Sequence, residues 1–335
     1  MPARPPLLRL TPDGLYCEAG DFHIDPWAPV ARAVVTHAHA DHARGGSAAY
    51  LAAHEGVALL RHRLGASLPV EGLSWGEPRR IGDVTVSLHP AGHIRGSAQV
   101  RVAHAGEVWV VTGDYKRAPD PTCTPFEVVP CDTLVTEATF ALPVYRWAPG
   151  DLVFDEIAQW VAACASARRT AVLYTYALGK AQRLLAGLAG RVDVPCLVHG
   201  SIAALNAVYA AEGVALPPTT RVSEAPMRGR VDAALVLAPP SAGVPGWLRR
   251  FREPSTAFAS GWMRLRGTRR RRGVDRGFAI SDHADWPALL RTIEETGARR
   301  VLATHGDADA LVRLLREGGV EAGALATRFA GEDAE

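Results

Sequence analysis

The chain has few lysines, few cysteines and no long apolar run, and each shortage excludes a class of protein. Only two of its 37 lysines and arginines are lysines, Lys116 and Lys180, so the number of arginines alone is weak evidence for phosphate binding. The five cysteines are scattered and form no C-x-x-C pair, which favours a reduced, cytoplasmic protein over a disulfide-stabilised one. No apolar run reaches the ~18 residues of a membrane span, and no signal-peptide core is visible, so we expect no membrane partner.

The bulk composition is that of an ordinary globular protein. The 335 residues are 48% hydrophobic and 21% charged, which is sufficient for one large domain or two smaller ones. The net charge of +2 at pH 7 gives no whole-molecule field that would attract nucleic acid or a membrane. Any basic binding surface must therefore come from local clusters.

Strand and helix patterns divide the chain into three stretches. Residues 1–145 contain short strand patterns separated by turns, and a helix is predicted from His42 through Leu51. Residues 146–268 alternate helix and strand, which predicts a parallel sheet of their own. Residues 269–335 return to loops that carry histidines after strands, as in the first stretch. We therefore expect the middle stretch to be a domain inserted into the first domain.

The segment T-H-A-H-A-D-H, residues 36–42, places three histidines and an aspartate within seven residues. Side chains of an extended segment alternate between two faces, so His37, His39 and Asp41 should point to one side. The start of a helix at His42 would turn its imidazole toward the same space. Burying these groups without partners is unfavourable, and a divalent cation removes that penalty. Imidazoles with a carboxylate suit zinc, and also manganese or iron.

Further metal ligands must come from other loops, because one loop cannot complete two coordination spheres. Including the opening segment, six loops offer a histidine, aspartate or glutamate directly after a predicted strand. The candidates on the other five loops are His93, Asp114, Glu137, His283 and His305. Six such loops predict a shared site at the ends of the strands.

Several of these strings together resemble a known family. THAHADH, PAGHIRGS, TGDYK and the late THG resemble the metallo-β-lactamase fold, and EAT, SDHAD and THG resemble motifs of its β-CASP nuclease branch. More narrowly, ASGWMRLRGTRRRRGVDRGFAISDHADWPALL is similar to the bacterial ligase-associated DNA exonucleases. The resemblance implies an α/β fold, an αββα sandwich formed by residues 1–145 and 269–335. A β-CASP-like α/β domain, residues 146–268, would be inserted into it.

The resemblance also implies two divalent metal ions, zinc in preference to manganese. One ion would be held by His37, His39 and His93. The other would be held by Asp41, His42 and His305, with Asp114 bridging both ions. Asp41 and Asp114 would count among the catalytic residues, since a hydroxide activated by the two metals would attack phosphorus.

Three other side chains receive supporting roles. His283 is predicted to protonate the leaving oxygen, with Glu137 fixing its tautomer through a hydrogen bond. Asp25, in the string FHIDPW, resembles the aspartate that supports the ligand loop in this family, although an aspartate before proline is also a common turn former.

The arginine run before the SDHAD segment is the candidate for nucleic-acid binding. The predicted contacts are Arg264, Arg266, Arg269, Arg270, Arg271, Arg272 and Lys180. Arginine forks suit phosphate recognition, and Lys180 lies near a predicted helix start. A solvated hinge loop for the arginines, and a plain structural turn around Lys180, are the alternative interpretations.

The function implied by the resemblance is a metal-dependent DNA exonuclease of DNA repair. Its partners would be DNA, single-stranded or with free ends, and a DNA ligase or helicase of the same pathway. The main alternative is an RNA-processing ribonuclease of the same fold, because attack on phosphorus is the same for both sugars. A hydrolase of small esters would need neither the inserted domain nor the arginines. A non-catalytic scaffold would not need the ligand set.

Overall fold

A computed structural model describes residues 6–225 and 233–327 of the chain. The chain divides into two units, each with its own buried core. Unit 1 is Met1–Pro143 together with His283–Glu335, and unit 2 is Val144–Asp282. Unit 2 is therefore a continuous insertion in the sequence of unit 1.

Eight α-helices occur in the described part of the chain. They are α1 (Val57–Leu64), α2 (Gly150–Ser166), α3 (Lys180–Leu188), α4 (Gly200–Ala211), α5 (Pro245–Leu248), α6 (Arg266–Arg272), α7 (Trp286–Thr296) and α8 (Asp309–Glu317). Short 3-10 turns cover His54–Gly56, Pro240–Ala242 and Gly261–Arg264. None of these described helices combines the length and the apolar composition that crossing a lipid bilayer requires.

The first sheet of unit 1 contains six strands in chain order. They are β1 (Arg9–Thr11), β2 (Gly14–Cys17), β3 (Phe22–Ile24), β4 (Arg32–Val34), β5 (Ala49–Ala53) and β6 (Val70–Leu73). The strands β1 to β3 pair antiparallel, whereas β3 to β6 pair parallel. Because β3 and β4 are parallel neighbours, Asp25 and Thr36, which follow them in the chain, lie at the same edge of the sheet.

The second sheet of unit 1 contains seven strands and includes two from the end of the chain. They are β7 (Arg79–Ile81), β8 (Val84–Pro90), β9 (Ala98–His104), β10 (Glu107–Val111), β11 (Thr133–Glu137), β18 (Arg300–Thr304) and β19 (Glu321–Ala324). The strands β7 to β10 form an antiparallel meander, and β10, β11, β18 and β19 are parallel neighbours. The carboxyl ends of β10, β11 and β18 therefore meet at one edge, which carries Asp114, Glu137 and His305.

The two sheets of unit 1 pack face to face, and α7 and α8 cover the outer face of the second sheet. Alternate residues of β10 and β11 face opposite sides of the sheet. Trp109, Val111 and Val135 belong to the apolar cluster shared with the first sheet. Val110 and Leu134 belong to the cluster that includes α7 and α8. This alternation follows from the two-residue period of a strand. Each fully buried valine or leucine contributes about 1.5–3 kcal/mol relative to an exposed one.

Unit 2 contains a parallel sheet with both faces covered. Its strands are β12 (Ala171–Tyr174), β13 (Cys196–Val198), β14 (Thr220–Arg221), β15 (Leu235–Ala238), β16 (Ser255–Ala259) and β17 (Arg276–Phe278), in the order β14-β13-β15-β12-β16-β17. All neighbouring strands pair parallel. Helices α2, α3 and α4 pack on the face that carries Leu173, while Val172 faces a second cluster that includes Phe251. The apolar strands of this stretch are typical of a sheet buried on both sides.

The helix predicted from His42 through Leu51 is wrong. The Ala43 N–H donates to the His39 carbonyl at 2.8 Å and closes a single turn. Gly45 and Gly46 follow, and Gly46 has φ +96°, a value that favours glycine. The alanine-rich segment after them forms β5, which pairs with β4. Pairing within the sheet therefore overrides the helix preference of the alanines.

Residues 269–282 lie in unit 2 rather than in the returning part of the first domain, where the sequence had placed them. The reason is β17, which extends the parallel sheet of unit 2 by pairing with β16. The arginine run before it forms the helix α6 and not a hinge loop. Gly273 ends this helix in the left-handed region, at φ +63°.

Candidate metal centre

The loop that carries the histidine segment is held from three sides. The Thr36 amide donates to Asp25 Oδ1 at 2.8 Å, and the Thr36 carbonyl accepts from the Ala98 amide at 2.8 Å. A guanidinium N–H of Arg63, on α1, donates to the Ala38 carbonyl. The loop is thus fixed by the protein itself, which preorganises the imidazoles that it carries.

Four buried side chains of unit 1 form the first cluster: His37, His39, His93 and Asp114. His39 Nδ1 lies 3.2 Å from His37 Nε2 and 3.0 Å from His93 Nε2. Asp114 Oδ2 lies 3.4 Å from His37 Nε2 and 3.8 Å from His93 Nε2. Three imidazole nitrogens and one carboxylate oxygen therefore converge on one small volume.

The second cluster contains Asp41, His42 and His305, whose ligand atoms all lie within 4.8 Å of one another. The rings of His42 and His305 stack with centroids 4.6 Å apart. Asp114 Oδ2 is 3.4 Å from His42 Nε2, the same distance as from His37 Nε2. The Asp114 carboxylate therefore stands between the two clusters.

The loop around His93 depends on two residues that the sequence reasoning did not single out. Ser97 Oγ accepts from the amides of His93, at 3.0 Å, and of Ile94, at 3.2 Å, and so closes the turn. Gly96 has φ +71°, and a Cβ there would lie 2.2 Å from the Gly56 amide nitrogen. The string GHIRGS contains both residues, so its Gly and Ser were a signal for a tight turn.

The titratable groups of the centre shift one another's pKa. Burial, and the adjacent His42, hold the pKa of His37 well below its usual value. Burial would also lower the pKa of His42, but the carboxylates of Asp114, Asp41 and Asp25 raise it well above its usual value. Burial would raise the pKa of Asp114, yet His42 and then other histidines hold it well below its usual value. The carboxylates thus favour a positive charge at this place.

The residues present fit divalent metal ions. Neutral imidazoles and carboxylates are the donors that zinc and manganese bind in proteins. His42 Nε2 is buried and makes no hydrogen bond among the described residues, as expected for a nitrogen aimed at an ion. A metal cation would satisfy the carboxylates that otherwise favour protonation of His42. Histidine and aspartate clusters of unit 1 could therefore bind metal ions.

Asp25 links the two clusters from behind. Its Oδ2 lies 2.7 Å from His42 Nδ1 and accepts from the Thr36 hydroxyl at 2.7 Å. The Thr36 hydroxyl also lies 3.0 Å from His37 Nδ1. Asp25 has φ +45° and His305 has φ +54°, values that are strained for residues other than glycine. Thr36, which the sequence reasoning passed over, is thus the contact between Asp25 and His37.

Replacement of Asp25 by alanine should lower metal affinity about 10–100-fold, because His42 and Thr36 lose the acceptor that orients them. Zinc affinity is measured by competition with a chelator of known affinity. The exposed Asp13, replaced by alanine, is the matched control and should bind zinc like the parent. Equal zinc affinity of the Asp25→Ala variant and the parent would show that Asp25 is only a turn former.

Glu137 and His283 form a buried pair beside the first cluster. His283 Nδ1 lies 2.9 Å from Glu137 Oε2, and the Tyr115 amide donates to Glu137 Oε1 at 2.8 Å. Burial raises the pKa of Glu137, although the adjacent His283 opposes the shift. The His283 ring centroid is 4.6 Å from that of His93. The imidazole of His283 is therefore oriented by a carboxylate and lies next to a candidate ligand.

The structure contradicts the prediction that Lys180 contacts nucleic acid. Its side chain is 1% exposed, and its Nζ lies 2.9 Å from Asp282 Oδ1 within unit 2. The ammonium group is therefore buried and paired with a carboxylate, and it is not exposed for contact with a phosphate. The sequence placed Lys180 correctly at the start of a helix but gave no sign of its partner, which lies far along the chain.

The predicted arginine contacts lie on the surface of unit 2 where their side chains are described. Arg264, Arg266, Arg270, Arg271 and Arg272 are exposed, whereas the side chain of Arg269 falls outside the described part. Arg264 and Arg272 make contacts within the unit. The Nε of Arg264 donates to the Val144 carbonyl at 3.3 Å. The guanidinium of Arg272 lies 5.2 Å from the ring centroid of Phe258.

The chain is similar in sequence to proteins with two different names, and no family model matches it. It is 35% identical over 318 residues to a probable DNA ligase of Opitutus terrae, an alignment that covers 93% of this chain and 30% of that protein. Over 81 residues it is 32% identical to endoribonuclease ysh1 of Aspergillus fumigatus and 33% identical to endoribonuclease ysh1 of Emericella nidulans. Each of these two alignments covers 23% of this chain and 9% of the relative. The chain thus spans less than a third of the length of these curated relatives.

A solved structure shares the fold of the chain. It is a protein of unknown function from Enterococcus faecalis V583, with a TM-score of 0.59 over 90% of this chain and 80% of that one. The sequences are 12% identical, so the likeness concerns the fold alone. The fold is mixed α/β with several sheets, and the α/β class predicted from the sequence is confirmed at that level.

Proposed function

We propose that the chain is a metal-dependent nuclease of the β-CASP branch of the metallo-β-lactamase fold, and that it acts on DNA as an exonuclease in repair. The observation that carries the proposal is the convergence of seven ligand-type side chains in two adjacent clusters, with the carboxylate of Asp114 between them. The buried Glu137–His283 pair beside them provides an imidazole that can act as a general acid. The two packed sheets of unit 1 and the inserted parallel sheet of unit 2 support the fold assignment.

Each cluster is assigned one divalent ion, zinc in preference to manganese. His37, His39 and His93 would hold one ion. Asp41, His42 and His305 would hold the other, with Asp114 shared. The ions would supply activation of a water and neutralisation of charge on the phosphodiester, as in two-metal hydrolysis.

The protein's own side chains have distinct tasks in this hydrolysis. Asp25 and Thr36 orient His42 and His37 through hydrogen bonds. Glu137 accepts from Nδ1 of His283, so Nε2 is the atom that gives a proton to the leaving oxygen. The Glu137 carboxylate, 2.9 Å from Nδ1, also stabilises the positive charge of the protonated imidazole.

The names of the relatives support nucleic acid as the substrate, and their alignments favour DNA. The probable DNA ligase aligns with 93% of this chain, whereas the endoribonucleases align with 23%. The latter similarity supports the alternative, an RNA-processing ribonuclease of the same fold. A DNA ligase or helicase as a functional partner is proposed on the sequence resemblance alone.

The proposal is tested with end-labelled single-stranded DNA and RNA of the same base sequence, with added manganese or zinc. A DNA exonuclease shortens the DNA stepwise from one end and leaves the RNA intact. Preference for RNA would establish the alternative. The His37→Ala variant, purified in the same way, is the control for contaminating nucleases, and equal digestion by this variant and the parent would contradict the proposal.

Replacement of Arg266, Arg270 and Arg271 by alanine should weaken polymer binding without slowing the hydrolysis of a small phosphodiester. All three side chains are exposed on α6. Each lost phosphate contact to single-stranded DNA reduces the steepness of log K against log salt by about 0.7, so the full effect is up to about 2 units. Binding of single-stranded DNA is measured across a salt series, beside hydrolysis of a chromogenic phosphodiester.

The matched control replaces three other exposed arginines of unit 2, Arg249, Arg250 and Arg252. This variant has the same change in net charge and should keep most of the salt dependence. Equal losses of binding in both triple variants would mean that only net charge matters. Equal losses of polymer binding and small-substrate hydrolysis would mean that α6 has a structural role.

A further inference from the structure

The segment G-K-A-Q-R at the start of α3 contains three polar side chains that are all buried. Lys180 is 1% exposed, Gln182 is 0% exposed and Arg183 is 7% exposed. Charged side chains are rarely buried to this degree without specific partners, because removing them from water is unfavourable. Their partners therefore indicate what the segment does.

Both cations of the segment contact the two residues that precede His283 in the chain. Lys180 Nζ lies 2.9 Å from Asp282 Oδ1, and a guanidinium N–H of Arg183 donates to the Ser281 carbonyl. Asp282 itself is only 2% exposed. Lys180 thus binds the Asp282 carboxylate, and Arg183 binds the backbone of Ser281.

Lys180 and Gln182 of the G-K-A-Q-R segment have further partners within unit 2. Lys180 Nζ lies 4.4 Å from the centroid of the Tyr176 ring, a cation–π distance that gives the ammonium a second partner. Gln182 Oε1 accepts from the Gly179 amide at 2.7 Å, and Gln182 Nε2 donates to Asn206 Oδ1 at 2.8 Å. The ammonium of Lys180 therefore has one defined position, and so does the carboxylate that it binds.

We propose that Lys180 and Arg183 are positioning residues that clamp Ser281 and Asp282 and thereby fix the backbone from which the His283 side chain projects. The proposal rests on the proposed function, since it assigns His283 a reacting imidazole whose position matters. A buried ion pair adds little net stability relative to apolar residues of similar volume, and in some proteins buried polar groups fix one conformation. In this chain the selected conformation is that of the residues directly before His283.

The test compares Lys180→Met with the parent by hydrogen exchange and by kinetics. Backbone amides in a peptide spanning residues 279–284 should exchange faster in the variant, while peptides from the sheets of unit 1 keep the parental rates. In the nuclease assay kcat should fall about 10²-fold, the size of effect that a misplaced catalytic group produces, with KM close to the parental value. Lys180→Arg, which keeps the charge, should restore most of both properties.

The control is Val236→Ala, which opens a cavity at a fully buried position of β15. Val236 belongs to the apolar cluster that includes Phe251, on the opposite face of the sheet from the cluster that includes Ile280. It should leave both the exchange of 279–284 and kcat near the parental values. The proposal is overturned if this control changes them as much as Lys180→Met does, or if Lys180→Met changes neither. Faster exchange with unchanged kcat would likewise overturn the positioning role.

A second variant and a measurement that does not need nuclease activity complete the test. If Lys180→Met does not fold, Asp282→Asn removes the other charge of the pair with almost no change in shape, and the same results are expected. If the parent has no nuclease activity, the proposed function fails. Hydrogen exchange, which does not depend on that activity, still decides whether Lys180 clamps the segment before His283.

Discussion

Replacement of Asp114 by asparagine should lower the kcat of phosphodiester hydrolysis by about 10³-fold or more. A bound metal supplies several kcal/mol of charge stabilisation, and each 1.36 kcal/mol corresponds to tenfold in rate. Asp114 Oδ2 lies at equal distances, 3.4 Å, from the Nε2 atoms of His37 and His42, so this one oxygen serves both clusters. Asparagine keeps the shape of the side chain but removes the negative charge that two cations would share.

Metal analysis and kinetics together measure this effect. The variant should retain fewer metal equivalents than the parent after gel filtration, and its residual hydrolysis should not recover at high zinc or manganese concentration. The exposed Asp83, replaced by asparagine, is the matched control in unit 1 and should behave like the parent. Parental kcat and metal content in the Asp114→Asn variant would sink the two-metal account.

The second large effect concerns the Glu137–His283 pair. We expect His283→Ala to lower kcat about 10²–10⁴-fold, the usual contribution of a general acid. Glu137→Gln should cause a smaller loss, because the carboxylate acts only by orienting and stabilising the imidazole at 2.9 Å. The double variant should be no slower than His283→Ala alone, since Glu137 acts through His283.

Metal content separates a general acid from a metal ligand in this pair. His283 Nδ1 or Nε2 lies within reach of Asp114 and Glu137, so the three could also hold an ion. If His283 is the acid, His283→Ala binds as much metal as the parent. Loss of one metal equivalent would make His283 a ligand and contradict the proposed role. His62→Gln, an exposed change on α1, is the control for the removal of an imidazole.

The convergence of the candidate ligands could be predicted from the sequence because it follows from strand order. Asp114, Glu137 and His305 each lie at or just after the end of an apolar strand, and the three strands are parallel neighbours. Parallel strands end at a common edge, so a polar residue after each one reaches the same place. The alternation of His37, His39 and Asp41 needed only the two-residue period of an extended chain.

Other features depend on contacts that no local pattern reveals. The segment after His42 is rich in alanine and favours a helix, but pairing with β4 makes it a strand. Lys180 lies at a helix start, which suggested a phosphate contact. Its partner Asp282, and the Ser281 partner of Arg183, lie about a hundred residues later. Burial of a charge is decided by its distant partner, and a single sequence does not state which partner that is.

The position of β18 between β11 and β19 has a consequence for how the protein matures. The histidines of residues 36–42 are synthesised early, then all of unit 2, and only afterwards β18, the strand that precedes His305. During translation, the nascent polypeptide therefore lacks one of the candidate ligands, and the second cluster can form only when the residues after unit 2 add β18 beside β11. In the proposed two-metal centre, occupancy of the second cluster would thus be a late event, whereas the residues of the first cluster all precede unit 2.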